Sequence, residues 1–106
     1  MIKISIFEDE NGIYNGFRLE GHAEYADPGE DIICSAISIL VINTINSIEA
    51  FTEDAFLVDS NDAAGLIEFH MTSEISSESN LLLSSLSLGL HAMEKEYGNE
   101  YIEIIE

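Results

Sequence analysis

The chain has a single cysteine and three histidines, and one histidine, His22, precedes Cys34 by a short acidic segment. Asp31 lies three residues before Cys34, where an apolar helical pattern begins. An aspartate at that place can cap the helix by accepting hydrogen bonds from the first-turn N–H groups. Cys34 would then lie in the first turn, where the helix dipole favours a thiolate and N–H groups could stabilise an oxyanion. His22 could accept the thiol proton, so the spacing is compatible with nucleophilic acyl transfer.

Spacing alone leaves a plainer interpretation of Cys34 open. A lone cysteine in a helix is more often a small buried hydrophobe than a nucleophile. Carboxylates flank the segment and disfavour a thiolate; they belong to Glu24, Asp27, Glu30 and Asp31. Some could instead orient His22, but Asp31 cannot be assumed to act both as helix cap and as orienting group. A redox-sensing thiol is a third alternative, although the chain has no second cysteine to resolve it.

Length and charge limit the kind of protein further. The chain of 106 residues predicts one domain over residues 1–106. Its formal net charge is -18, from 3 Lys plus Arg against 21 Asp plus Glu. Such a surface repels phosphate backbones and anionic lipid and attracts basic polypeptides. We therefore expect no direct binding of nucleic acid or membranes.

Neither a cofactor nor a metal site is expected. The histidines and the cysteine match no zinc spacing, and no phosphate-binding glycine loop is present. The acidic turn at Asp59, Asn61 and Asp62 lacks the further ligands of a calcium loop. His70 and His91 are expected to be structural or solvated.

The chemistry of the termini and of the cysteine predicts a cytoplasmic protein. A lone cysteine forms no internal disulfide, so nothing in the sequence requires an oxidising compartment. The N-terminus has neither the apolar run nor the cleavage site of a signal peptide. No stretch is expected to be long enough to span a bilayer.

Hydrophobic periodicity predicts an α+β fold in the order ββαββαβ. The predicted strands are 2–7 and 13–21, a strand–turn–strand unit within 55–71, and a last strand within 100–106, and the predicted helices are 33–51 and 81–97. Asn11-Gly12 is the expected corner of the first hairpin, and a bulge is expected at Asn15-Gly16. The architecture expected is a two-layer sandwich, with two helices on one face of a mixed, largely antiparallel sheet.

The first predicted helix has more apolar surface than a sheet alone can cover. One stripe runs along Ile33, Ile37, Leu40, Val41, Ile48 and Phe51, and a second comprises Ile39, Ile42 and Ile45. The second stripe indicates burial against another helix or another subunit. In the second helix, Gly89 indicates close packing of the backbone.

The residues around the cysteine resemble a family signature. Gly21-His22-Ala23, Tyr25, Gly29 and the run from Asp31 through Cys34 to Ser38 are similar to the signature of the Prp family, the ribosomal-processing cysteine proteases. The resemblance covers essentially the whole chain. It departs from the usual pattern at Ser35, where alanine is commoner.

This resemblance implies a homodimeric cytoplasmic endopeptidase. The family removes an N-terminal extension from ribosomal large-subunit protein twenty-seven, so the implied partner is a basic ribosomal protein precursor. His22 and Cys34 occupy the catalytic positions, and the expected supporting residues are Asp31, Ser35 and Ser38. The expected substrate loop contains Ala23, Tyr25, Pro28 and Gly29. The alternative is a non-catalytic acidic dimer that binds a basic ribosomal or assembly protein.

Overall fold

The computed structural model describes residues 1–21, 32–61 and 63–105. Within these ranges the elements are β1 Ile2–Glu8, β2 Tyr14–Gly21, α1 Ile32–Phe51, β3 Phe56–Asn61, β4 Leu66–Met71, α2 Ser77–Tyr97 and β5 Ile102–Ile105. The predicted ββαββαβ order is therefore confirmed.

The strands of the described ranges form one five-stranded sheet in the order β3-β4-β2-β1-β5. β2 pairs antiparallel with β1 and β4, and β3 pairs antiparallel with β4. β5 pairs parallel to β1 at the other edge. The register skips Asn15 opposite Phe7 and Glu8, so the bulge predicted beside Gly16 is present. The sheet is mixed and largely antiparallel, as predicted.

Strand alternation divides the sheet into an apolar and a polar face. On β1, Ile2, Ile4 and Ile6 are buried, whereas Lys3 is exposed. The buried residues of both helices belong to the same cluster as these isoleucines. Both helices therefore pack on one face; the opposite face, which carries neither helix, is called the open face.

The helices approach each other closely at Gly89. A Cβ atom added there would lie 3.4 Å from Cδ1 of Leu40 on α1, a distance of ordinary van der Waals contact. A longer side chain would push the helices apart. The close packing predicted from Gly89 is thus confirmed.

α2 begins earlier than predicted, at Ser77 instead of Leu81. Ser76 is its N-cap, and its side chain accepts a hydrogen bond from the N–H of Ser79 at 3.1 Å. The first turn is polar, so the apolar pattern starts one turn after the helix does. The predicted inward residues are correct: Leu83, Leu86 and Leu90 are buried, and the others pack against them.

Asp54 connects the end of α1 to the start of α2. Its Oδ2 accepts from Ser76 N at 2.9 Å, Ser76 Oγ at 2.6 Å and Ser79 Oγ at 2.6 Å. These donors lower the pKa of the Asp54 carboxyl, the Ser76 hydroxyl most strongly. The charged form of Asp54 therefore stabilises the junction between the helices.

Two expectations about α1 are wrong. Phe51 is 75% exposed, because it is the last residue of the helix and lies beyond Ile48, the last buried residue of α1. By length and composition, α1 is also apolar enough to cross a membrane, contrary to prediction. The reason is that α1 has apolar residues on two sides: one side packs in the core, while Ile39 and Ile42 are 68% and 50% exposed.

Replacing Asp54 with alanine should lower the thermal midpoint of unfolding, because Ser76 and Ser79 lose a shared acceptor. The folded-state pKa of Asp54 is lowered. Its contribution should therefore be complete above the unfolded pKa of about 3.9 and be lost as the pH falls through the folded value. In scanning calorimetry, wild type and Asp54→Ala should differ at pH 7, and the difference should begin to shrink only below pH of about 4. Glu53→Ala, which removes an exposed neighbouring carboxylate, is the control; an equal effect would contradict the role of Asp54.

Candidate active site

Cys34 lies in the first turn of α1, and its neighbours in the helix hold that turn on the sheet. Ile33 is fully buried and Ile37 is 2% exposed, so they anchor the turn in the core. Cys34 lies between them on the helix surface and is half-buried. The sulfur is therefore at the edge of the core, on a rigid element.

The described residues enclose a cavity of about 200 Å³ beside Cys34. It lies where the ends of β1, β2, β3 and β4 meet the start of α1. Its described lining is mainly apolar and comprises Ile2, Leu19, Gly21, Cys34, Ile37, Ser38, Asn61, Gly65, Leu66 and Ile67. A side chain of moderate size could enter beside the thiol.

The helix provides an electrostatic environment that suits acyl transfer. A helix dipole is positive at its N-terminal end, where backbone N–H groups point along the helix axis, and this end therefore favours a negative charge. Ser38 lies one turn after Cys34 and lines the same cavity. The site thus combines a thiol, nearby hydroxyl and N–H donors, and a cavity.

Gly21 ends β2 directly before His22. Its φ is +94°, and a Cβ on it would collide with the carbonyl oxygen of Met1. Its N–H donates to the carbonyl of Ala64 at 3.3 Å, in the turn between β3 and β4. Only glycine fits both the conformation and the space. The end of β2 is thereby attached to the same turn that lines the cavity.

The structure brings together only part of the predicted site. Cys34 and Ser38 share the cavity, whereas Ser35 is exposed and is not among its lining residues. The remaining predicted site residues lie outside the described ranges; they are His22, Ala23, Tyr25, Pro28, Gly29 and Asp31. Their roles, and that of Ser35, stay predictions.

Sequence reasoning missed the wall of the cavity formed by β3 and β4. Asn61, Gly65, Leu66 and Ile67 all come from this hairpin, which is distant from Cys34 in the chain. The only sequence signal for this wall was the turn composition around Asn61 and Gly65. The polar residues there were already accounted for as turn formers, so they did not indicate a site.

His70 is placed away from this cavity, as predicted. It is exposed on the open face of the sheet, stacks on Phe7 with ring centroids 5.4 Å apart, and lies 3.2 Å from Glu68 Oε1. Among the described side chains, no group of three His, Cys, Asp or Glu residues is placed to hold a metal ion.

A thiol at a helix N-terminus beside an apolar cavity, on this α+β fold, defines a candidate cysteine protease. The sequence profile of the cysteine protease Prp family matches residues 1–103, and the chain belongs to that family. The ribosomal processing cysteine protease Prp of Staphylococcus aureus is 26% identical over 104 residues, which cover 98% of this chain and 97% of the relative. The Bacillus subtilis protein of the same name is 23% identical over 101 residues, covering 92% and 90%.

Solved structures share the fold over the whole chain. The Staphylococcus aureus Prp with a covalently linked product peptide superimposes with a TM-score of 0.92 at 26% identity, covering 98% of this chain and 97% of that one. The same enzyme with a substrate peptide gives a TM-score of 0.87 at 25% identity, covering 99% and 98%. The family suggested by the signature around Cys34 is thus confirmed.

Gly21→Ala should destabilise the fold more than the corresponding change at Gly98. Gly98 has φ 90° and ψ 167° with no atom within 4 Å of an added Cβ, so Gly98→Ala tests backbone strain alone, about 1–3 kcal/mol. Gly21→Ala adds the collision with Met1, which should cost about 1–3 kcal/mol more. Urea unfolding of both variants measures the difference. Equal losses would show that the contact with Met1 relaxes without cost.

Proposed function

We propose that the chain is an endopeptidase in which Cys34 is the nucleophile and His22 the general base and acid. The observation that carries this proposal is the half-buried Cys34 in the first turn of α1, beside the cavity, in a chain of the Prp family. A helix N-terminus favours the thiolate needed for attack on a carbonyl. Asp31, Ser35 and Ser38 are proposed to support the pair through capping, hydrogen bonding to the oxyanion or orientation of His22.

The reaction has two steps. The Cys34 thiolate attacks the carbonyl carbon of the scissile bond, and first-turn N–H groups stabilise the oxyanion. The C–N bond then breaks as His22 protonates the leaving amine, which produces a thioester on Cys34. Water deprotonated by His22 attacks the thioester and expels the Cys34 thiolate, which regenerates the thiolate beside a protonated His22; the released acid loses its proton to solvent.

The substrate we propose is a basic ribosomal protein precursor, with cleavage removing the N-terminal extension of ribosomal large-subunit protein twenty-seven. The relatives are named ribosomal processing proteases, and solved relatives hold peptides. The net charge of -18 supports attraction of a basic protein and opposes direct contact with RNA or anionic membranes. We place this activity in the cytoplasm, on precursor that is not yet assembled. Residues Ala23, Tyr25, Pro28 and Gly29 are proposed to contact the peptide.

A peptide spanning the extension junction should be cut once by wild type. Cys34→Ala should give no product, and His22→Ala should lower kcat/KM at least about 100-fold, since general base catalysis contributes on that order. His70→Ala is the matched histidine control and should cut normally, because His70 is exposed on the open face of the sheet. Mass spectrometry of the products measures each outcome. Binding without cutting by all variants would favour the acidic binding protein instead.

We also propose that the chain forms a homodimer through the outer side of the helical layer. On α1, Ile32, Ile39 and Ile42 are 54%, 68% and 50% exposed, and Glu49 is the only charged residue of the helix. On α2, Leu81 and Leu88 are 69% and 73% exposed, opposite its buried leucines. An exposed apolar surface of this extent, in a chain with a net charge of -18, is typical of an interface between subunits.

Ile39→Lys should weaken the dimer at least about tenfold, because a two-fold interface contains the substitution twice and each lysine is desolvated. Ile105→Lys is the control, since Ile105 is 48% exposed on β5. Analytical ultracentrifugation over a concentration series measures both. A wild-type monomer, or a dimer equally sensitive to both changes, would contradict the proposed interface.

A further inference from the structure

The two edge strands of the sheet differ in whether their outward backbone N–H and C=O groups already have hydrogen-bond partners. At the β5 edge, the Ile104 N–H donates to Glu94 Oε2 of α2 at 3.0 Å, so a side chain occupies part of that edge. At the other edge lies β3, whose six residues pair with β4 along their whole length. Within the described ranges, no backbone or side-chain group pairs with the outer side of β3.

The ladder shows which groups of β3 point outward. Thr72 N–H donates to Ala55 O at 2.9 Å, so the odd-numbered positions bond to β4. Antiparallel ladders alternate, which directs the N–H and C=O groups of Phe56, Val58 and Ser60 away from β4. These groups form a template for one more extended strand.

The side chains of this edge do not protect it. Leu57 and Val58 are 67% and 45% exposed, Asp59 is the only charged residue of the strand, and β3 contains no proline. Soluble proteins commonly block an edge with lysine, proline or a bulge. An extended segment with an apolar residue beside Leu57 or Val58 and a basic residue beside Asp59 would be complementary to this strand.

The β3 edge is continuous with the active-site cavity. Asn61, the last residue of β3, lines the cavity together with Leu66, Ile67 and Cys34. An added strand beside β3 would lie about three strand spacings, or roughly 15 Å, from β2 on the far side of the cavity. That distance corresponds to about four extended residues.

Building on the proposed protease function, we propose that the substrate adds a strand to the outer edge of β3. The segment that pairs with Phe56, Val58 and Ser60 lies several residues from the scissile bond, and backbone hydrogen bonds bind it. β3 is therefore a second recognition surface, which selects an extended polypeptide independently of the residue that enters the cavity. It makes the enzyme prefer long, unfolded segments to short peptides.

Val58→Pro tests this proposal, because proline removes an outward N–H and places its ring against an added strand, yet is tolerated at sheet edges. The matched control is Val58→Ala, which shortens the side chain and keeps the N–H. Two peptides from the extension junction serve as probes, a short one with about four residues on each side of the cut and one lengthened by about six on each side. We expect Val58→Pro to raise KM about tenfold for the long peptide only, with kcat unchanged.

Binding measured in a Cys34→Ala background separates this proposal from the proposed function. There Val58→Pro should weaken the long peptide about tenfold and leave the short peptide unchanged, whether or not wild type cuts either one. Equal affinity of both peptides in the parent background would overturn the proposal. A loss of self-association in Val58→Pro would also overturn the proposal, because it would show that the outer edge of β3 binds a second copy of this chain. If Val58→Pro does not fold, the long peptide is instead N-methylated at one backbone position at a time. Methylation should weaken binding at every second residue, because alternate N–H groups of an added strand face β3; an absence of that alternation overturns the proposal.

Discussion

The position of Cys34 depends on the burial of Ile33 and Ile37 against the sheet. These two residues hold the first turn of α1 in the core and leave the thiol at the border of a cavity. Burying one such side chain stabilises a fold by about 1.5–3 kcal/mol, more than a typical net hydrogen bond contributes. The helix end that carries the proposed nucleophile is therefore held by packing, and its position does not depend on the polar groups around it. The dimer surface proposed on the opposite side of α1 would hold the same helix from outside.

One-sided packing of the sheet has consequences for recognition. Both helices cover one face, and the cavity beside Cys34 lies where the strands end, beside the β3–β4 turn. The same hairpin provides the Ala64 carbonyl that binds Gly21, the cavity residue Asn61 and the open edge of β3. A single hairpin thus connects the strand that leads to His22, the wall of the cavity and the proposed peptide-binding edge.

The local patterns predicted the elements and their buried faces well, because alternation in β1 and helical spacing in α2 are short-range consequences of one buried side. The start of α2 was predicted a turn late, because its first turn is polar and because Asp54, the acceptor that binds its cap residue Ser76, is distant in sequence. The cavity could not be predicted for a similar reason: Asn61 meets Cys34 only after β3, β4 and α1 have packed. The proposal that Cys34 is the nucleophile came from the signature around it, because spacing alone left packing as the plainer interpretation.

One part of the negative charge, the acidic corner of the first hairpin, lies too far from Cys34 to disfavour a thiolate there. The acidic corner at Glu8, Asp9 and Glu10 lies at the far end of β1 from Ile2, which lines the cavity. Glu8 lies six positions after Ile2 on the strand, about 20 Å away, beyond a Debye length of about 8 Å at physiological ionic strength. These carboxylates therefore add little to the potential at Cys34, where the dipole of α1 acts at close range. At the surface these three carboxylates still attract a basic polypeptide, so they can favour the encounter without acting on Cys34.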